Sequence, residues 1–237
     1  MDKIIKADNH EEDVLLIFER LRGIPKKGII HVGAHLGEEV DNYFKLGFEN
    51  IVLIEANPSL CEKMNFKYRF NKNVFIYNYA VCDSVGELDF YIHQSNSGIE
   101  SSSILKMDRF DKIVTSLKTS KTIKVPSSTL DAIIIENNLE ICDYNILVTD
   151  IQGADYLALK GFKNKITNFD AVVVEIQCIN LYENFVSEQM MDDLMFKYGF
   201  YKDFVIYHEL YENNKYFPAW GEVVYINNKF KFERKQG

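Results

Sequence analysis

The chain has 237 residues, 47% of them apolar and 26% charged, which excludes a wholly disordered chain, a collagen-like repeat and a coiled coil. Lys plus Arg number 27 against 35 Asp plus Glu, a net charge of −8. Phosphate contacts need clustered cations, so no nucleic-acid partner is expected.

Residues 10–22 set Val14, Leu15, Ile17, Phe18 and Leu21 at helical spacing, and Gly23 and Pro25 end that helix. Residues 28–32 form a short apolar strand. A glycine-bearing turn follows, then a helix through Val40, Tyr43, Phe44 and Leu46 that Gly47 closes. Residues 51–54 read as a buried strand, Pro58 opens a helix to about Phe70, and 74–80 is a third strand. Residues 86–92 and 122–125 read as strands flanking a polar stretch, 94–120; loops of that length are functional or disordered. Residues 144–148 and 171–175 are two more strands, each followed by a helical pattern. Residues 200–207 and 222–226 read as an antiparallel pair joined by a polar, aromatic loop over 208–221, with a short tail after them. Alternating strand and helix imply a parallel sheet covered on both faces, with right-handed crossovers.

No apolar run approaches the ~18–20 residues of a membrane span, and the acidic first residues lack the apolar core of a signal peptide. Cys61, Cys82, Cys142 and Cys178 are dispersed, with no C-x-x-C pair. They read as reduced core thiols of a cytoplasmic protein rather than a disulfide or zinc framework.

Two motifs carry chemistry. The first strand runs into Gly33-x-x-x-Gly37, a turn that lets backbone N–H groups approach a ligand. Glu55 follows about 20 residues later at the end of the next strand, where a carboxylate can accept both ribose hydroxyls of an adenosine ligand. The plainer alternative is a tight strand-to-helix turn with a chance acid. The spacing is not G-x-G-x-x-G, which disfavours a nicotinamide dinucleotide and an oxidoreductase. In the second motif Asp150 ends a strand, where open α/β sheets bind ligands, and Gly153 turns the chain toward Asp155 and a helix. Asp150 also suits a helix N-cap.

The ordered set of short motifs resembles the FkbM-type S-adenosylmethionine-dependent methyltransferases, over roughly residues 28–226. It runs from Val32-Gly33-Ala34-x-x-Gly37 and Glu55-Ala56-Asn57-Pro58 to Ala80-Val81-x-Asp83-x-x-Gly86 and the serines Ser101, Ser102 and Ser103. It continues through Thr129-Leu130-Asp131, residues 149–161 and residues 175–182. The resemblance implies a class I, Rossmann-like α/β fold: a mostly parallel seven-stranded sheet with an antiparallel C-terminal strand and helices on both faces. Residues 1–27 are then an N-terminal helical segment, and 28–237 a single domain with an inserted loop at about 94–120. The implied cofactor is S-adenosyl-L-methionine, with S-adenosyl-L-homocysteine as product. The implied contacts are Gly33, Ala34, His35, Gly37, Glu38, Glu55, Ala56, Asn57, Ala80, Asp83, Ser102 and Asp150. The implied reaction is O-methylation of a sugar or glycan precursor. The alternatives are a small non-sugar metabolite as acceptor, or a cofactor-binding module without catalysis. His31 stands where this family often has an acid; Glu38, Glu39 or backbone oxygens are left to meet the cofactor's ammonium.

Candidate bases rank Asp150, His35, Glu175 and then His93. A carboxylate has an ordinary pKa near ~4 and needs burial to become a better base. Asp150 and Glu175 could also hold a divalent metal, but no third ligand is evident and none is assigned. A loop histidine such as His35 more often bonds locally than takes a proton. His31 reads as a satisfied core imidazole, and His10 and His208 as surface residues. The aromatics Tyr211, Tyr216, Phe217 and Trp220 suit sugar stacking, core or a dimer contact equally. Oligomeric state is not legible.

Overall fold

The computed structural model describes residues 10–95, 101–212 and 214–231. Residues 1–9 of the N-terminal segment, 96–100 of the polar stretch and 232–237 of the tail lie outside the described residues. In chain order the first half holds α1 (His10–Arg20), β1 (Gly28–Val32), α2 (Val40–Lys45), β2 (Asn50–Glu55), α3 (Pro58–Tyr68), β3 (Val74–Asn78), β4 (Ala80–Val81) and β5 (Gly86–Gln94). Then come α4 (Phe110–Ile113), β6 (Lys118–Ser128), α5 (Leu130–Glu136), β7 (Ile146–Thr149), α6 (Asp155–Gly161) and β8 (Ala171–Gln177). The chain ends with α7 (Glu188–Lys197), β9 (Phe200–Glu212) and β10 (Lys215–Asn227).

The main sheet has seven strands in the order β3-β2-β1-β7-β8-β10-β9. The first five are parallel, and β10 enters antiparallel between β8 and β9. Successive strand residues point to opposite faces, so the unbroken apolar runs serve two cores. Ile30, Val32, Val52, Ile54, Leu147, Val172 and Val174 meet α5, α6 and α7 on one face. Ile29, Ile51, Leu53, Ile146, Ala171 and Val173 meet α1, α2 and α3 on the other. The helices start where polar caps sit: Asn57 Oδ1 accepts from Ser59 N, Thr129 Oγ1 from Ala132 N and Ser187 Oγ from Met190 N.

Three expectations need correction. Residues 208–221 are not a loop but the outer part of a long hairpin, with Trp220 paired to His208, Phe217 to Leu210 and Tyr216 to Tyr211. β10 pairs with β8 only from Trp220 onward, so the hairpin continues past the end of the sheet. Polar and aromatic residues mixed on both faces hide the period-two pattern there. In the stretch 94–120 the described residues are not an open loop throughout: β5 reaches Gln94, β6 starts at Lys118, and the two pair antiparallel in a second sheet ordered β4-β6-β5. Bridges from Tyr91 to Ser103 and from Met107 to Tyr182 hold Ser103 and Met107 in place. Cys61 and Cys82 are buried and Cys178 is half-buried, but Cys142 is exposed and is no core thiol. Among the described residues no helix is long and apolar enough to cross a membrane.

Gly161, on α6, lies against the chain that leaves β4. A Cβ there would sit 2.6 Å from the Cys82 carbonyl oxygen and 2.8 Å from Asp83 Cα, both backbone atoms that cannot rotate away. Gly161→Ala is expected to lower stability by about 1–3 kcal/mol, measured as a lower urea midpoint at unchanged slope.

Candidate active site

The carboxyl ends of β1, β2, β7 and β8 open on a cavity of about 780 Å³. Its first half is made by the glycine turn. Gly33 has φ +86°, and a Cβ there would lie 1.8 Å from the Asp150 carbonyl oxygen, so the chain can leave β1 only as glycine. Gly33 N donates to Ile54 O at 2.8 Å, which sets the turn against β2. Glu55, at the end of β2, is buried and accepts from two backbone amides: His35 N at 3.0 Å on Oε2 and Asn57 N at 2.7 Å on Oε1. Burial raises its pKa, and those two bonds oppose the rise. Glu38 Oε1 lies 2.8 Å from His35 Nδ1, and its Oε2 accepts from Leu36 N at 3.0 Å. Desolvation works against the Glu38 carboxylate, but the bond and charge of His35 outweigh it and lower its pKa. His31 lines the cavity beside Glu39, and its Nδ1 lies 3.0 Å from the buried Tyr43 hydroxyl.

The second half is a wall of acids. Asp150 follows β7, Glu175 lies on β8, and Glu222 on β10 pairs directly across from Glu175. Asp150 and Glu175 stand within reach of one and the same side-chain amide, that of Gln152. Gln152 Nε2 donates to Asp150 Oδ1 at 2.7 Å and lies 3.2 Å from Glu175 Oε1. Gln152 holds this place in the left-handed region at φ +55°, its backbone oxygen accepting from Ser103 Oγ at 2.8 Å. The Tyr182 hydroxyl lies 3.0 Å from Gln152 Oε1 and 2.9 Å from Ser101 O. Desolvation and the nearby negative charge of Glu222 push Asp150 up. Desolvation and the charges of Asp150, Asp155 and Glu222 push Glu175 well up. Asp155, buried in the first turn of α6, is pushed up to about 7 by desolvation and by Asp150.

The cavity brings together Gly33, His35, Glu38, Glu55, Ala56, Ala80, Ser102, Asp150 and Glu175 among the residues singled out from the sequence. It does not bring Ala34, Gly37, Asn57 or Asp83 to its wall. Ala34 is buried under the turn, the Gly37 oxygen accepts from the Tyr68 hydroxyl at 2.7 Å, and Asn57 caps α3. Asp83 is exposed, 3.6 Å from Lys160 Nζ. His208 is not a surface residue. It lines the cavity with Nε2 2.6 Å from Glu222 Oε2, and its ring stacks on Trp220 at 5.3 Å and 13°. Trp220 also meets Phe110 at 6.2 Å, so it is packed rather than an open platform. Sequence reasoning missed Gln152, Gln177, Glu222 and the role of Tyr182 as wall residues. Only Gln152 carried a local signal, its place two residues after Asp150. Among the described residues no group of three or more His, Cys, Asp or Glu is arranged to hold a metal ion.

The sequence profile described as "Methyltransferase FkbM domain" matches residues 31–201. No curated protein sequence matches the chain. Among solved structures it is similar to a Listeria monocytogenes protein named as an S-adenosylmethionine-dependent methyltransferase. The identity is 8% and the TM-score 0.54, over 92% of this chain and 99% of that one. It is also similar to magnesium protoporphyrin IX methyltransferase from Synechocystis PCC 6803, at 6% identity and TM-score 0.48, over 95% of this chain and 86% of that one. At such identities the likeness to the Listeria structure speaks for the fold alone.

His93, the last of the ranked bases, is not on the cavity wall. It is fully buried on β5, with Nδ1 3.1 Å from Thr119 Oγ1 and no partner on Nε2 among the described residues. Desolvation drops it from 6.5 to about 4, although Asp111 opposes the fall. Between those values the unfolded chain binds a proton that the folded chain refuses, so stability falls as pH falls from 6.5 toward 4. On going from pH 7 to pH 5 the native protein is expected to lose about 2 kcal/mol that His93→Gln does not lose, checked by denaturant titration of both at the two pH values.

Proposed function

The chain belongs to the FkbM methyltransferase domain family, and on that basis we propose that it transfers a methyl group from S-adenosylmethionine to a hydroxyl of a sugar or glycan precursor. The observation that carries the cofactor half is the Glu55 carboxylate. Two backbone N–H groups fix it beside the glycine turn, and each oxygen keeps a second lone pair. A carboxylate so held fits the two ribose hydroxyls of an adenosine group. The Gly33–Asp150 contact supplies a side-chain-free approach for the rest of the nucleoside. Ala56, Ala80, His35, Glu38 and Ser102 complete that wall, while Ala34, Gly37, Asn57 and Asp83 act from behind it or at its edge. His35, bonded to Glu38, shapes the turn rather than serving as base.

When bound, the cofactor supplies an electrophilic methyl on a sulfonium. The chain must then align the acceptor, exclude water and take away the hydroxyl proton. Alignment is the larger lever, since oriented reactions reach effective molarities of about 10⁵ M or more, whereas a base adds roughly 10²–10⁴. Asp150 with Glu175 is the proton-handling pair.

The acceptor half supports a polyhydroxyl substrate. Carboxyls and amides from Asp150, Gln152, Glu175, Gln177 and Glu222 supply donors and acceptors in close array, and none of the described lining residues is Lys or Arg. Such a wall repels phosphate, which argues against nucleic acid and against a nucleotide held inside the cavity.

Calorimetry with S-adenosylmethionine and with NAD tests the cofactor, and a methyl-transfer screen over sugars, glycans and small non-sugar metabolites tests the acceptor. Glu55→Ala is expected to weaken S-adenosylmethionine binding by about 1–3 kcal/mol; unchanged affinity overturns the ribose assignment. Asp150→Asn is expected to cut turnover by roughly 10²–10⁴ with the melting curve retained; intact turnover removes Asp150 from the reaction.

A further inference from the structure

A carboxyl that holds its proton at neutral pH cannot accept another. The acid wall poses that problem directly. Asp150 and Glu175 share the Gln152 amide, Glu222 stands opposite Glu175 across the β8–β10 pairing, and buried Asp155 lies in the first turn of α6. Burial and the like charges of their neighbours raise Asp150, Asp155 and Glu175, which opposes the ionisation of all three together. The Gln152 amide, donating to Asp150 Oδ1 at 2.7 Å and reaching Glu175 Oε1 at 3.2 Å, keeps the two acids in register for a shared proton.

Among the described residues no strong cation stands on the cavity wall around the cluster. From β1 comes His31, and from the start of α2 come Glu39 and Tyr43; from β9 and β10 come His208 and Glu222, bonded to each other; from the segment after β8 comes Tyr182. Burial and the neighbouring acids hold the Tyr43 and Tyr182 hydroxyls protonated at neutral pH, so they do not compete for this exchange. None of the described residues lining the cavity is Lys or Arg. A positive charge arriving in this cavity is therefore the missing counter-ion.

We propose that Asp150 and Glu175 hold one proton between them until the cationic cofactor occupies the cavity, release it then, and so become the base for the acceptor hydroxyl. This rests on the cofactor reading given above. An opposite charge within a few ångströms draws a carboxyl's pKa down by about 1–3, against the rise that burial and the neighbouring acids impose on this pair. The balance closes over one turnover. The acceptor O–H bond breaks and its proton goes to the Asp150–Glu175 pair; the oxygen's electron pair forms the new O–CH₃ bond; the S–CH₃ bond breaks with its pair left on sulfur. The cavity then holds a neutral thioether and a protonated pair, and neither attracts the other by charge. The pair is thus armed by the charged cofactor and disarmed by its own reaction, and the site prefers cofactor to product.

The experiment is titration calorimetry of the full chain with S-adenosylmethionine and with S-adenosylhomocysteine, each in buffers of different ionisation enthalpy. The two ligands share the adenosine and amino-acid groups and differ in the charge on sulfur, so common proton effects cancel. At pH 7 S-adenosylmethionine is expected to release about 0.5–1 proton more than S-adenosylhomocysteine, and its affinity advantage is expected to rise with pH by up to about tenfold per unit. Asp150→Asn and Glu175→Gln should each remove that excess. Equal proton release by the two ligands in the native protein overturns the proposal without any variant, as does an excess that survives in both variants. If neither ligand binds, the cofactor reading itself fails, which is a different result.

Discussion

The site depends on one backbone contact. Gly33 leaves β1 so close to the peptide of Asp150 that a single added carbon would overlap its carbonyl oxygen. β1 and β7 are neighbours in the centre of the sheet, and Asp150 N donates back to Val32 O at 3.0 Å. The glycine turn and the strand end that carries Asp150 are therefore one rigid unit. Neither can shift without breaking the pairing of the two central strands, and two hydrophobic cores clamp those strands from opposite faces. Side chains set on strand ends in this way need little ordering when a ligand arrives.

The acid wall is held with comparable stiffness, but by side chains. Gln152 sits in a left-handed conformation that costs a non-glycine residue about 1–3 kcal/mol. The Ser103 hydroxyl on its carbonyl and Tyr182 on its amide compensate locally. Both partners belong to elements that cover the sheet rather than form it. The bridges from Tyr91 to Ser103 and from Met107 to Tyr182 carry that support into the second sheet. The covering segment and the buried acids thus constrain each other, and loosening either exposes desolvated carboxyls to water.

Most of the parallel sheet was legible because its strands are short, apolar and bounded by Gly, Pro or Asn. The runs at Ile51 and Ala171 needed no further context. Glu55 was legible for the same reason: an acid that closes an apolar run is conspicuous. The hairpin was not. Residues such as Glu209, Tyr211, Tyr216 and Pro218 alternate no clear apolar face, and their strand conformation comes from the partner across the turn. Glu222 and His208 escaped for a deeper reason. Their significance lies in pairings with Glu175 and with each other across 47 and 14 residues of chain, and no local pattern encodes such a juxtaposition. His208 read as surface because a polar residue among aromatics gives no clue that a tryptophan ring will lie flat against it.

The two halves of the cavity therefore come from different layers of the fold. The glycine turn, Glu55 and Asp150 belong to the sheet's own strand ends, which the packing of both faces holds in place. Phe110 and Tyr182 of the cover, with Leu210 and Trp220 of the β9–β10 hairpin, form a contiguous aromatic and apolar lining: Phe110 meets Tyr182 at 5.8 Å and Trp220 at 6.2 Å. Changes in the cover can reshape the outer half of the cavity without disturbing the contact between Gly33 and Asp150. The reverse does not hold, because moving β1 or β7 moves the acids that the cover is bonded to. On the proposed function, acceptor choice is therefore the property freest to vary on this scaffold, and the Asp150–Glu175 pair is the part that every acceptor would share.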